Sequence, residues 1–143
     1  MPHDPKHQML HARPNVQLIW QIYAALQLRD YDTIFALMSP EIEIEQSEEL
    51  PWGGHYKGHD GARQFMEKLG ASIESTVMLQ HFIDAGETVV AVGRTQGMVT
   101  GSGIAFDVPI SHVWTVRDGV AVHARYCIDH PTMMKALHGP ESE

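Results

Sequence analysis

The chain is short of almost everything that builds a disulfide scaffold, a thiolate metal cluster or a nucleic-acid surface. Cys127 is its only cysteine, so one chain can close no internal disulfide and hold no metal on several thiolates. Basic residues are scarce, ten Lys and Arg against 18 Asp and Glu, for a formal net charge of −8. Nucleic-acid phosphates and anionic membrane surfaces call for a basic face, which this balance does not supply. No apolar run approaches the ~20 residues a membrane helix needs. The stretch Met1-Pro2-His3-Asp4-Pro5 lacks the apolar core of a signal peptide, so the expected location is the cytoplasm. A Gly-rich phosphate loop, a dinucleotide fingerprint, a Cys–His metal constellation and a Ser–His–Asp arrangement are all missing. No cofactor is therefore expected.

What remains is an ordinary globular composition, 43% hydrophobic and 20% charged over 143 residues, enough for one domain with a real core. The expected division is a loose tail over 1–13, a single domain over 14–138 and a short tail over 139–143. Within the first tail, His3, His7 and His11 are spaced by four and would share a helical face able to hold a metal. Pro2, Pro5 and Pro14 argue against a long helix there.

From Pro14 the apolar spacing turns helical, with Val16, Ile19, Trp20, Tyr23 and Leu26 on one side up to about Leu28. Asp30 is placed to cap a second helix carrying Ile34, Phe35, Leu37 and Met38, which Pro40 is expected to close. Alternation then predicts a strand with Ile42, Ile44 and Gln46 on one side and Glu41, Glu43 and Glu45 on a solvated other. A glycine-rich turn precedes a third helix through Ala62, Phe65, Met66 and Leu69, expected to end at Gly70. Strands are predicted over about 73–83, 88–99, 104–116 and 120–128, joined as hairpins, and a short helix over 131–139 closes the chain. The fold class is α+β: three N-terminal helices on a strongly bent, mostly antiparallel sheet.

One strand carries an anomaly. Ile104, Phe106, Val108, Ile110, His112, Trp114 and Val116 share a face, and only His112 among them is polar. It is either a satisfied core histidine or the acid/base of a pocket. The next strand puts Val120, Val122, Ala124, Tyr126 and Ile128 on its inner side, and Asp118-Gly119 turns the hairpin, so Tyr126 and His112 are predicted near-neighbours. Ala105, Pro109, Ser111, Val113, Ala121 and Cys127 are then outward, too apolar a face to be left fully wet, and a homodimer through that face is expected.

Leu50-Pro51-Trp52-Gly53-Gly54-His55-Tyr56-Lys57-Gly58 before a helix, and His112-Val113-Trp114-Thr115-Val116-Arg117-Asp118-Gly119 running on to Tyr126-Cys127-Ile128-Asp129, resemble the SnoaL-like polyketide cyclases of the nuclear-transport-factor-2-like superfamily. The resemblance covers about 14–137. It implies a cone-shaped α+β barrel enclosing an apolar pocket, and the same dimeric pairing through the sheet. In the cyclases a histidine and an aspartate flank that pocket; the histidine falls on His112, and the aspartate, the acid/base, falls on Tyr126. Against the ketosteroid isomerases, the carboxylate base falls near Gln46, the acid partner on His112 and the tyrosine within a residue of Tyr23. Both template carboxylates are thus replaced.

Two functions stay open. One is cofactor-independent isomerase, cyclase or dehydratase chemistry on a small apolar or aromatic-ring molecule, with neutral His112 as base and Tyr126 or Tyr23 as donor. The other is a non-catalytic ligand-binding or scaffold module. Candidate catalytic residues are His112 and Tyr126; candidate ligand contacts are Trp20, Tyr23, Gln46, Trp52, Tyr56, Phe106, Val108, Ile110 and Trp114. His55 is a candidate for the pocket rim. Trp20 and Trp114 also read as plain core, Gln46 as a solvated strand end, and Asp129 as the cap of the last helix. Arg94 is set to reach either an anionic ligand or solvent, and His81, His123 and Arg125 lie outward.

Overall fold

Pro14, which has no N–H to leave unpaired, stands at the first position of helix α1 (Pro14–Gln27). The computed structural model describes residues 13–139; His3, His7 and His11 fall outside the described residues. Helix α1 buries Val16, Ile19, Ile22, Tyr23 and Ala25. Asp30 caps α2 (Tyr31–Leu37), its carboxylate accepting from the Thr33 backbone N–H at 3.2 Å and the Thr33 hydroxyl at 2.6 Å. Pro40 does not close this helix. It lies inside strand β1 (Met38–Gln46), where its fixed φ suits extended chain and its missing donor falls where the pairing register shifts, between Met38 and Glu43.

After β2 (Gly54–Lys57), helix α3 (Gly58–Ser72) runs through Gly70 instead of ending on it. Ile73 leaves the helix directly in an extended conformation, φ −144°, so no left-handed turn is needed. Four more strands follow: β3 (Ile73–Ala85), β4 (Thr88–Val99), β5 (Ala105–Arg117) and β6 (Val120–Ile128). Asp129 then caps α4 (His130–His138) by accepting from the Thr132 N–H at 3.3 Å, as its position before Pro131 suggested.

The six strands form one sheet in the order β2-β1-β6-β5-β4-β3. Every pairing is antiparallel except β1 with β6, a parallel join that periodicity alone does not reveal. The outer strands β2 and β3 do not pair with each other, so the barrel implied by the resemblance is an unclosed cone. Register shifts in β3 between Leu79 and His81, and in the β5–β6 ladder between Thr115 and Val116, sharpen its curl. On β4, Gly93 and Gly97 let β3 fold close over the concave side: a Cβ there would lie 2.2 Å from the Met78 carbonyl oxygen and 1.8 Å from that of Glu74. The β5–β6 shift also corrects the faces read for the start of β6: Val120, expected inward, pairs with the exposed Arg117 and shares its outer face. Ala121 faces inward, fully buried opposite Val116, because the extra residue reverses the alternation of β6.

Candidate functional site

Inside the cone lies a cavity of about 130 Å³, walled almost wholly by hydrocarbon from α1, α2, α3 and the sheet. Its polar groups are few, and three of them come from one row of the sheet. Gln46 on β1 stands opposite Tyr126 on β6, and Tyr126 stands opposite His112 on β5. Three adjacent strands therefore bring three polar side chains to one level, all lining the cavity. Tyr23 on α1, Ser75 on β3 and Thr95 on β4 add hydroxyls to the lining, and Trp52 and Trp114 add their indoles.

His112 is the centre of this row. Its Nδ1 lies 2.6 Å from the Tyr23 hydroxyl, with the two rings stacked at 5.9 Å and 12° between planes. The Tyr126 ring tilts against the imidazole at 4.6 Å between centroids. Burial holds the His112 pKa down at about 3, so the ring is neutral near pH 7. Tyr23 sits under a second clamp, the Trp114 indole donating to its oxygen at 2.9 Å. Burial, with the neighbouring Tyr126, pushes the Tyr23 hydroxyl well above its ordinary pKa, and burial does the same to Tyr126. All three groups are thus held uncharged. Gln46 is fixed by Trp52, whose indole donates to the amide oxygen at 2.8 Å.

Of the residues read from the sequence, His112, Tyr126, Tyr23, Gln46, Trp52, Ile110 and Trp114 line the cavity. Four do not. Phe106 and Val108 share the inner face of β5 but are buried in the core further along the strand. Trp20 packs half-buried against the core, one residue off the inward stripe of α1. Tyr56 is buried with its hydroxyl donating to the backbone oxygens of Trp52 and Gly53, at 3.0 and 3.1 Å, so it ties down the loop before β2. Missing from the sequence reading were Leu26, Phe65, Met66 and Leu69, which cover the cavity from α1 and α3. Their helical spacing was visible, but spacing cannot tell a core contact from a cavity wall. Thr95 was also missed, though its inward place follows from the alternation of β4.

The outer face holds the remaining charged candidates. Arg94 pairs with Asp107, Nε to Oδ1 at 2.5 Å, and so faces no cavity ligand. His55 does not rim the pocket; it meets Glu43 across the β1–β2 ladder at 2.8 Å. Glu45 meets His123 at 2.6 Å and Glu49 meets His130 at 3.4 Å. Two of the three glutamates on the outward side of β1, Glu43 and Glu45, are therefore paired with histidines as well as solvated. Among the described residues no group of three or more His, Cys, Asp or Glu is arranged to hold a metal, and no helix is long and apolar enough to cross a membrane.

A curled, unclosed sheet packed against helices is the fold this chain shares with nuclear-transport-factor-2-like proteins. Residues 20–124 match the SnoaL-like domain model, and the chain belongs to the SnoaL-like family. An NTF2-like protein from Burkholderia thailandensis is 30% identical, with a TM-score of 0.80 over 88% of this chain and 98% of that one. TerC, solved with polyporic acid, is 26% identical, with a TM-score of 0.81 over 89% and 100%. A candidate SnoaL-like polyketide cyclase from Jannaschia sp. CCS1, at 22% identity, shares the fold with a TM-score of 0.78 over 89% and 93%. No curated protein matches the chain.

Proposed function

We propose that this protein binds a small, largely apolar ring molecule inside the cone and holds it by hydrogen bonds from the Gln46–Tyr126–His112 row. The observation that carries this reading is the row itself, three uncharged polar side chains at one level in a cavity otherwise lined mainly by hydrocarbon. That combination suits a ligand whose body is desolvated and whose few polar atoms are fixed in direction. The co-crystallisation of the related TerC with polyporic acid supports a small-molecule ligand for the cavity.

Proton abstraction is the weaker reading. Among the described residues no carboxylate lines the cavity, and an imidazole whose conjugate acid has a pKa of about 3 is a poor base at neutral pH. If chemistry takes place, the row acts by hydrogen-bonding an oxygen of the ligand, as preorganised donors do in a dry site. Isothermal titration with a panel of bicyclic aromatic compounds tests the binding reading. Saturable binding at one site, weakened about tenfold by His112→Phe, is expected. Binding by no member of the panel, or equal binding by wild type and His112→Phe, overturns it.

A further inference from the structure

The two indoles beside the cavity have a shared consequence. An indole N–H donates and never accepts. Trp52 therefore fixes the orientation of Gln46: the amide oxygen faces the indole at 2.8 Å, and the amide nitrogen, with no protein partner among the described residues, is left to a ligand. Trp114 acts one step removed. Its N–H fills the Tyr23 oxygen at 2.9 Å, and the only other polar atom bonded to that oxygen among the described residues is His112 Nδ1 at 2.6 Å. The Tyr23 proton then points at Nδ1. The reverse arrangement, Nδ1–H donating to Tyr23, would leave a buried phenol proton without an acceptor. A neutral imidazole that accepts at Nδ1 carries its hydrogen on Nε2. That nitrogen has no protein partner and is not sealed away, since no buried side-chain nitrogen or oxygen among the described residues lacks a partner.

We propose that Trp52 and Trp114 are specificity-determining residues: by holding the oxygens of Gln46 and Tyr23 toward their indoles, they turn the hydrogens of the row toward the cavity, so the cavity selects a ring ligand with an acceptor-only oxygen, such as a ring ketone or quinone, over one carrying an amine. Tyr126, whose hydroxyl bonds no protein group among the described residues, turns either way and does not undo the bias. Ser75 and Thr95 lie on β3 and β4, off the row. Neutrality of the row also disfavours an ammonium, which would find no carboxylate among the described residues of the cavity.

This inference rests on the ring-binding reading, and its test has one arm that needs no ligand. Long-range proton–nitrogen NMR of nitrogen-15-labelled histidine reports the tautomer of His112 in the free protein. Wild type is expected to show the Nε2–H form alone, and Tyr23→Phe, which removes one oxygen and keeps the ring, a mixture of both forms. An Nδ1–H tautomer in wild type, or spectra unchanged by Tyr23→Phe, overturns the donor arrangement. The second arm is titration with 1-indanone and 1-aminoindane, matched in shape. The ketone is expected to bind more tightly by on the order of tenfold or more, because the amine, an ammonium near neutral pH, both lacks the accepted hydrogen bond and is desolvated without a partner. Trp52→Phe, in which the amide is free to flip, is expected to lower that ratio by about threefold, and Trp114→Phe to lower it likewise. Equal affinities in wild type, or a ratio unmoved in both variants, refutes the selection. Binding of neither compound counts against the ring-binding reading and against selection by it, while the NMR arm still decides which atoms the row presents.

Discussion

His112 and His123 stand on neighbouring strands of one sheet, on opposite faces, and share almost nothing but their side chain. His123 lies outside, 2.6 Å from the Glu45 carboxylate, where a charge can be matched by an opposite charge and by water. His112 lies inside against Tyr23, Tyr126 and hydrocarbon, where none of the described residues offers a carboxylate and the neutral form is held. The same division runs along β1: Glu43 and Glu45 meet His55 and His123 outside, while Ile44 and Gln46 face the cavity. Ionic pairing belongs to one face and neutral hydrogen bonding to the other. The site is thus built on polarity without charge.

The most severe way to break this division is to move a charge across it. Ile44 is 2% exposed, and Ile44→Glu would bury a carboxylate with no partner. A loss of about 4 kcal/mol or more is expected, enough to unfold many single domains. Glu43→Ile, one residue away on the outer face, should cost no more than about 1 kcal/mol. Urea unfolding of both variants measures the contrast, and similar costs would show that the two faces are not distinct environments.

A gentler test uses protons. His112 has a pKa near 3 folded against 6.5 for the free side chain. The unfolded chain therefore takes up the proton first as pH falls. The associated stability is complete above pH 6.5 and is lost between 6.5 and 3, with a slope of up to about 1.4 kcal/mol per pH unit. His112→Phe removes that slope and leaves the contributions of the outer Glu–His pairs in place. Unfolding free energies at pH 7 and pH 5 should diverge between the two proteins; parallel curves would show that His112 is not desolvated.

Much of this contrast was legible in the sequence, for a definite reason. Strand alternation assigns faces, so the single polar residue in the Ile104–Val116 stripe and its neighbour Tyr126 could be placed inside and side by side, as the direct pairing of His112 with Tyr126 shows. The capping roles of Asp30 and Asp129 were equally local and equally readable. Alternation fails where a bulge inserts a residue, which is why Ala121 was assigned to the wrong face. It also gives a face without a depth: Phe106 and Val108 share the inner side with His112 but lie beyond the cavity. The bonds from Tyr23 to His112 and from Trp114 to Tyr23 were out of reach, because they join residues 89 and 91 positions apart through the packing of α1 on β5. Gly93 and Gly97 were likewise unread, since their role depends on β3 crossing close above them.

Removal of the inner phenol oxygen, with its two hydrogen bonds, should cost less than a buried charge and more than an outer ion pair. Tyr23→Phe leaves both His112 Nδ1 and the Trp114 N–H without the oxygen they share, and a loss of about 1–3 kcal/mol is expected for such partly buried groups. Thermal or urea unfolding reads it directly, and a cost near zero would mean that water replaces the phenol at no penalty.

The smallest effect belongs outside. The Glu45–His123 pair is partly exposed at a strand surface, and the hydrogen bond to His123 is the main reason the Glu45 carboxyl titrates below its ordinary range. Water and salt compete with such a pair, so a double-mutant cycle with Glu45→Gln and His123→Gln should return a coupling of about 0.2–1 kcal/mol at pH 6, shrinking as salt is added. The matching cycle inside, Tyr23→Phe with His112→Phe, should return a larger coupling that salt does not reduce, because the interior bond is between neutral groups shielded from mobile ions. An outer coupling that equals the inner one, or an inner coupling that salt weakens, would mean that His112 carries charge in the folded protein and that the division between the two faces is one of degree.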